Sequence, residues 1–162
     1  MWNMSFDGAA SREGVGDGVW IKPPNIGTKL YSYKLSFDCT NNVAEYEALI
    51  LGLKTLKELG ARIIVVHGDS ELVINQVNGI YQSKHPRLRA YRNIVIDLLE
   101  EFSEYNLSKI PRGQNLIVDA LATSAFVFKI PIFPNKKYDI EVKHRPTIPD
   151  NIKYWQVFED KK

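Results

Sequence analysis

Ile63-Ile64-Val65-Val66 is an unbroken β-branched run, a composition that suits a strand covered on both faces. Gly68-Asp69-Ser70 breaks the run just ahead of an apolar pattern with helical spacing. Asp69 is therefore expected at the carboxyl end of a buried strand, where open α/β sheets gather their ligands. An Asp-Ser pair in such a turn also caps helices, and by itself the residue does not decide between the two roles.

Upstream, Trp2, Met4 and Phe6 alternate with Asn3, Ser5 and Asp7, the period of a strand with one apolar face. Gly8-Ala9-Ala10-Ser11 follows, small residues that let a ligand approach the backbone. Gly14, Gly16 and Gly18 lack the spacing of a dinucleotide fingerprint and read as a hairpin turn leading into Val19-Trp20-Ile21. Tyr31, Tyr33, Leu35 and Phe37 alternate with polar residues as a third strand, so the first three strands should form an antiparallel meander.

Thr40-Asn41-Asn42 is a helix-start signal, and apolar spacing from Val43 to Leu59 holds until Gly60. At about 100° per residue, Leu49, Gly52, Leu56 and Leu59 lie within roughly 40° of Glu45, on the centre line of the apolar stripe. A carboxylate there is costly without a partner. Glu47 is expected to point the opposite way, to solvent. A short helix over Leu72 to Val77 stops at Asn78-Gly79, and the basic cluster from Lys84 to Arg92 opens a longer one. Such a cluster works against the helix dipole, which hints at phosphate contact, although a charge run is by default a solvated face. Leu107 to Ile110 reads as a fifth strand near a sheet edge, closed by Pro111. Asn115 to Ala125 is a last helix, apolar nearly all round and expected to be buried, yet it carries Asp119.

Beyond residue 125 the texture changes. Pro131, Pro134, Pro146 and Pro149 interrupt every element except a strand at Tyr138 to Val142, and the apolar content, Trp155 included, calls for docking. Two units are expected, a catalytic domain over 1–125 and a Pro-rich tail over 126–162. With 162 residues, 44% hydrophobic and 25% charged, the chain can bury one core. A net charge of +2 gives no global pull on nucleic acid, so any such binding rests on local stripes. The single cysteine, Cys39, excludes an internal disulfide and fits a reducing compartment. No apolar run is long enough for a bilayer and no signal pattern opens the chain, so an intracellular location, cytoplasm or nucleus, is expected.

Four acids stand out: Asp7 on the first strand, Glu45 in a helix stripe, Asp69 at a strand end and Asp119 in the last helix. Brought together they would repel one another unless divalent cations sat among them. An all-oxygen site suits Mg²⁺ or Mn²⁺ over zinc, and two such ions make phosphodiester hydrolysis the natural reaction class. The three histidines have no metal-ligand spacing, and His67 reads as a satisfied core residue.

Phe6-Asp7-Gly8-Ala9, the run from Thr40 to Leu49 (Thr-Asn-Asn-Val-Ala-Glu-Tyr-Glu-Ala-Leu), Gly68-Asp69-Ser70-Glu71-Leu72-Val73 and Asp119-Ala120-Leu121-Ala122 strongly resemble type 1 ribonuclease H over residues 5 to 125. The form is the archaeal-like one carried by plant LTR retrotransposons. The segment from Glu141 to Pro146 resembles the connector before integrase in plant Ty3/gypsy-type polyproteins, which would make the chain a piece of a longer protein, fused to reverse transcriptase and integrase. The resemblance implies a five-stranded mixed sheet, three antiparallel strands then two parallel, with helices on both faces. It implies metal-dependent hydrolysis of the RNA strand of RNA·DNA hybrids, with 3′-hydroxyl and 5′-phosphate ends and double-stranded RNA as a further candidate substrate. Asp7, Glu45, Asp69 and Asp119 would then be catalytic metal ligands for two ions, Mg²⁺ or Mn²⁺. Thr40, Asn41, Asn42 and Ser70 would touch the hybrid backbone, where a 2′-hydroxyl marks RNA. The loop histidine of bacterial relatives is missing from Pro111-Arg112-Gly113-Gln114-Asn115, leaving Arg112 to assist product departure, and Glu71 replaces a glutamine that contacts the hybrid. A monomer with no membrane association is expected. The rival reading is a non-catalytic nucleic-acid-binding or connection module of a retroelement polyprotein.

Overall fold

In the computed structural model, residues 1–25, 27–80, 85–127 and 140–148 are described. The expected meander forms from β1 (Trp2–Ser11), β2 (Gly14–Lys22) and β3 (Lys29–Leu35), with antiparallel pairing throughout. Helix α1 (Asn41–Glu58) then leads to β4 (Ile63–Gly68), which returns parallel to β1. Helices α2 (Glu71–Val77) and α3 (Pro86–Leu99) precede β5 (Glu104–Lys109), parallel to β4 and at one edge of the sheet. A 3₁₀ turn over Arg112–Gln114 hands the chain to α4 (Leu116–Val127).

Among the described residues the sheet has six strands, in the order β5-β4-β1-β2-β3-β6, rather than five. The addition comes from the tail: β6 (Ile140–Lys143) pairs parallel with β3 along its far edge. Four described residues form this strand, and the expected start at Tyr138 lies outside the described residues, as do Pro131, Pro134, Pro149 and Trp155.

Local chemistry sets the helix ends. Thr40 Oγ1 accepts from the Val43 N–H at 3.2 Å to start α1. Gly60, at φ +87°, ends it with a Schellman pair, Ala61 N–H to Leu56 O at 3.0 Å and Gly60 N–H to Lys57 O at 3.1 Å. Helix α1 lies on one face of the sheet with α3 behind it, and α4 packs on the other. The β2 glycines are not the hairpin turn. They lie within the strand and let α4 settle on it: a Cβ at Gly16 would stand 2.0 Å from Ala122 O, and one at Gly18 2.2 Å from Val118 O. Helix α4 is less enclosed than its composition suggests. Val118, Leu121, Ala122 and Ala125 are buried, whereas Leu116 and Ile117 at its start are exposed. His67 is half-buried with Nδ1 3.1 Å from Ser108 Oγ.

Glu47 corrects a further expectation. It is fully buried, not solvent-facing. A single-stripe reading assumes a surface helix, but α1 is covered on its outer side by α3 and by the tail, whose Thr147 donates its N–H and its hydroxyl to the Glu47 carboxylate at 2.9 and 2.8 Å. The start of the basic cluster, Lys84, lies outside the described residues, and part of the rest serves the fold: Arg92 Nε donates to Gln76 O at 2.6 Å, tying α3 to the end of α2.

Candidate active site

The register of β1 on β4 builds the centre of the site. Phe6 pairs with Gly68, so Asp7 and Asp69 come next to each other just past that rung, on parallel neighbours. Glu45 reaches them from the first turns of α1, which comes close because residue 8 is glycine. A Cβ there would sit 2.3 Å from the carbonyl carbon of Ala44. The Gly8 N–H donates to Glu45 Oε1 at 2.6 Å and fixes the side chain at the sheet end.

Carboxylate oxygens of Asp7, Glu45 and Asp69 all lie within 4.8 Å of one another. Asp119 enters from α4 on the opposite face of the sheet and meets the Asp7 carboxyl. The four acids line one cleft of about 280 Å³ with Gly8, Ala9, Ala10, Asn41, Asn42, Ser70 and Arg112. Of the nine residues expected at the site, eight line this cleft. Thr40 does not; its hydroxyl is spent on capping α1. Ser70 both lines the cleft and caps α2 through Val73 N–H at 3.3 Å, so the capping and site roles coexist. Asn41 is oriented by the Ala10 N–H at 3.0 Å.

Four carboxylates face one guanidinium in this cleft, and the electrostatics follow. Burial, with the charges of Asp69 and Asp119, pushes Asp7 up to about 6. Burial and the neighbouring Asp7 carry Glu45 well above the usual carboxylate range. Asp7 and Glu45 are close enough to share a proton, yet Glu45 Oε2 is buried with no hydrogen-bond donor among the described residues. A cation would relieve the repulsion and partner that oxygen. The donor set is all oxygen, which fits Mg²⁺ or Mn²⁺, and Asp7, Glu45 and Asp69 are grouped closely enough to hold it, with Asp119 lining the same cleft.

Sequence reading missed Asn115, taken only as the start of the last helix. It is 2% exposed, and its Nδ2 donates to Phe6 O at 3.0 Å and to Asp69 Oδ2 at 3.2 Å. No pattern marks it, because the contacts span 109 and 46 residues of sequence.

The family described as reverse transcriptase-like matches residues 6–125, a span that contains all four acids. The chain belongs to that family. Its type 1 ribonuclease H-like domain is similar to the solved ribonuclease H1 of Halobacterium salinarum NRC-1, with a TM-score of 0.71 and 29% identity over 79% of this chain and 98% of the other. It is also similar to LC11 ribonuclease H1 solved in complex with an RNA/DNA hybrid, with a TM-score of 0.67 and 29% identity over 78% of this chain and 96% of that one. Among curated sequences, ribonuclease HI of H. salinarum is 40% identical over 86 residues, 53% of this chain and 43% of the relative. The chain thus spans less than half the length of that relative. The ribonuclease H-like domain keeps the family's mixed sheet and adds β6 at the β3 edge, outside the matched residues.

Proposed function

We propose that this chain is a metal-dependent endoribonuclease that cuts the RNA strand of RNA·DNA hybrids and leaves 5′-phosphate ends. The observation that carries the reading is the meeting of Asp7, Glu45 and Asp69 within 4.8 Å, with Asp119 against Asp7 in the same cleft. Asp7, Glu45, Asp69 and Asp119 would hold two cations, and Mg²⁺ or Mn²⁺ bound there would supply Lewis acidity for phosphodiester hydrolysis. The chain's own groups do the rest. Asn41, Asn42 and Ser70 stand at the rim to grip the sugar-phosphate backbone, where a 2′-hydroxyl distinguishes RNA. Arg112, lining the same cleft, offers charge to the product phosphate. The hybrid seen with LC11 ribonuclease H1 supports this choice of substrate.

We further assign the chain to a retroelement of the plant LTR type, acting in reverse transcription inside the cell, as one part of a polyprotein with reverse transcriptase and integrase. Its support is the tail from Glu141 to Pro146 and the archaeal-like block around Asn42 and Glu45. Intact acids at all four positions count against a purely connecting role.

The test is incubation with end-labelled RNA·DNA hybrid, double-stranded RNA and single-stranded DNA, with Mg²⁺, Mn²⁺ or chelator. We expect internal, metal-dependent cuts in the RNA of the hybrid that Asp69→Asn abolishes. Undiminished cutting by Asp69→Asn, or a wild-type chain inert with both metals, contradicts the reading.

A further inference from the structure

Asn115 joins three parts of the cleft through one buried side chain and its backbone. Nδ2 donates to Phe6 O, the carbonyl directly before Asp7 on β1, and to Asp69 Oδ2 after β4. The Asn115 carbonyl accepts from the Asp119 N–H at 3.1 Å, and its own N–H donates to Arg112 O at 2.9 Å. Both amide hydrogens are thus spent on the strands that carry two of the acids, while the backbone holds the turn of α4 that carries a third.

The side chain also carries a cost. Oδ1 is buried with no hydrogen-bond donor among the described residues, a situation that destabilises a fold. A residue serving packing alone gains nothing from that orphan acceptor. What an amide supplies here, and an aliphatic side chain or a carboxylate does not, is two donors without charge. One fixes the plane of the Asp69 carboxylate and the other anchors the strand end beneath Asp7. Carboxylates that hold metals are commonly oriented by such outer hydrogen bonds.

We propose that Asn115 is a positioning residue, setting Asp69, Asp7 and Asp119 in the arrangement that binds divalent cations productively. This rests on the nuclease reading above and adds to it a residue that touches neither metal nor substrate.

The test compares the full chain with Asn115→Ala, Asn115→Asp and, as a control at another buried polar position, Ser124→Ala. Mn²⁺ binding without substrate is measured by calorimetry, kcat and KM on the hybrid by initial rates, and the thermal midpoint in chelator. We expect both Asn115 variants to bind Mn²⁺ about 10- to 100-fold more weakly. Their kcat should fall comparably with KM for the hybrid unchanged, while Ser124→Ala moves neither. Asn115→Asp keeps the side-chain shape and carries the test if the alanine variant does not fold. Variants that lose thermal stability but bind Mn²⁺ and turn over like wild type would make Asn115 a structural staple and overturn the proposal alone. A wild-type chain that neither binds Mn²⁺ nor cuts the hybrid would overturn the nuclease reading and the positioning role together.

Discussion

Asp17 sits fully buried in β2 with neither carboxylate oxygen partnered among the described residues, on the register pair of Gly8. Burial, then the nearby charges of Glu47 and Asp7, raise its carboxyl well above 3.8. Because the folded state disfavours the charged form, the destabilisation is absent below about pH 3.8, grows as pH rises above it, and levels off above the folded value. Removing the group should therefore stabilise the chain. We expect Asp17→Ala to gain about 1–3 kcal/mol at neutral pH. The gain should shrink toward pH 4, as followed by thermal unfolding at a series of pH values. A loss of stability at neutral pH would show that Asp17 has a partner the fold supplies, and a gain that does not vary with pH would show that its charge is not the cause. Neither Asp17 nor Asn115 was legible in the sequence as a special residue. Glu45 and Asp119 were, because each interrupts an apolar helix pattern where a carboxylate needs a reason to be, and Asp69 was, because it follows a buried strand.

At the scale of elements, sequence reading expected a strand and a docking surface for the tail but not where it docks. Alternation gave β1 and β3, the β-branched run gave β4, and caps gave α1. The β6 strand is four residues long and takes its stability from the β3 edge, a long-range pairing that no local pattern encodes. Thr147 and the buried Ile148 then close over α1, and the Glu47 carboxylate loses the two Thr147 donors if they are removed. The chain's folded unit therefore extends past the family match at residue 125. Deleting everything after Val127 should lower stability by more than about 2 kcal/mol, since a buried carboxylate loses its Thr147 donors and a strand edge is bared. Hybrid cutting at low temperature should persist, because all four acids remain. A truncated chain with an unchanged melting temperature would show that β6 and Thr147 add nothing to the fold.

Across the whole molecule, charge is divided by location. The chain carries a net +2, yet its cleft gathers four acids against Arg112. The fold makes this tolerable by placing the acids at one end of a rigid parallel pair, with one helix approaching from each face of the sheet. Fold class was readable because the strand and helix periods are strong and in family order. The convergence of the acids was readable only through the resemblance, since spacing along the chain does not encode which ends meet. Divalent-cation binding in that cleft is the claim on which the proposed function and the role of Asn115 both rest. The direct measurement is a Mn²⁺ titration of the isotope-labelled chain, following amide resonances by paramagnetic broadening. We expect broadening to begin at Gly8, Glu45, Asp69, Ser70 and Asp119 and to reverse with chelator; broadening that begins elsewhere, or none at millimolar Mn²⁺, would contradict a metal site at these four carboxylates.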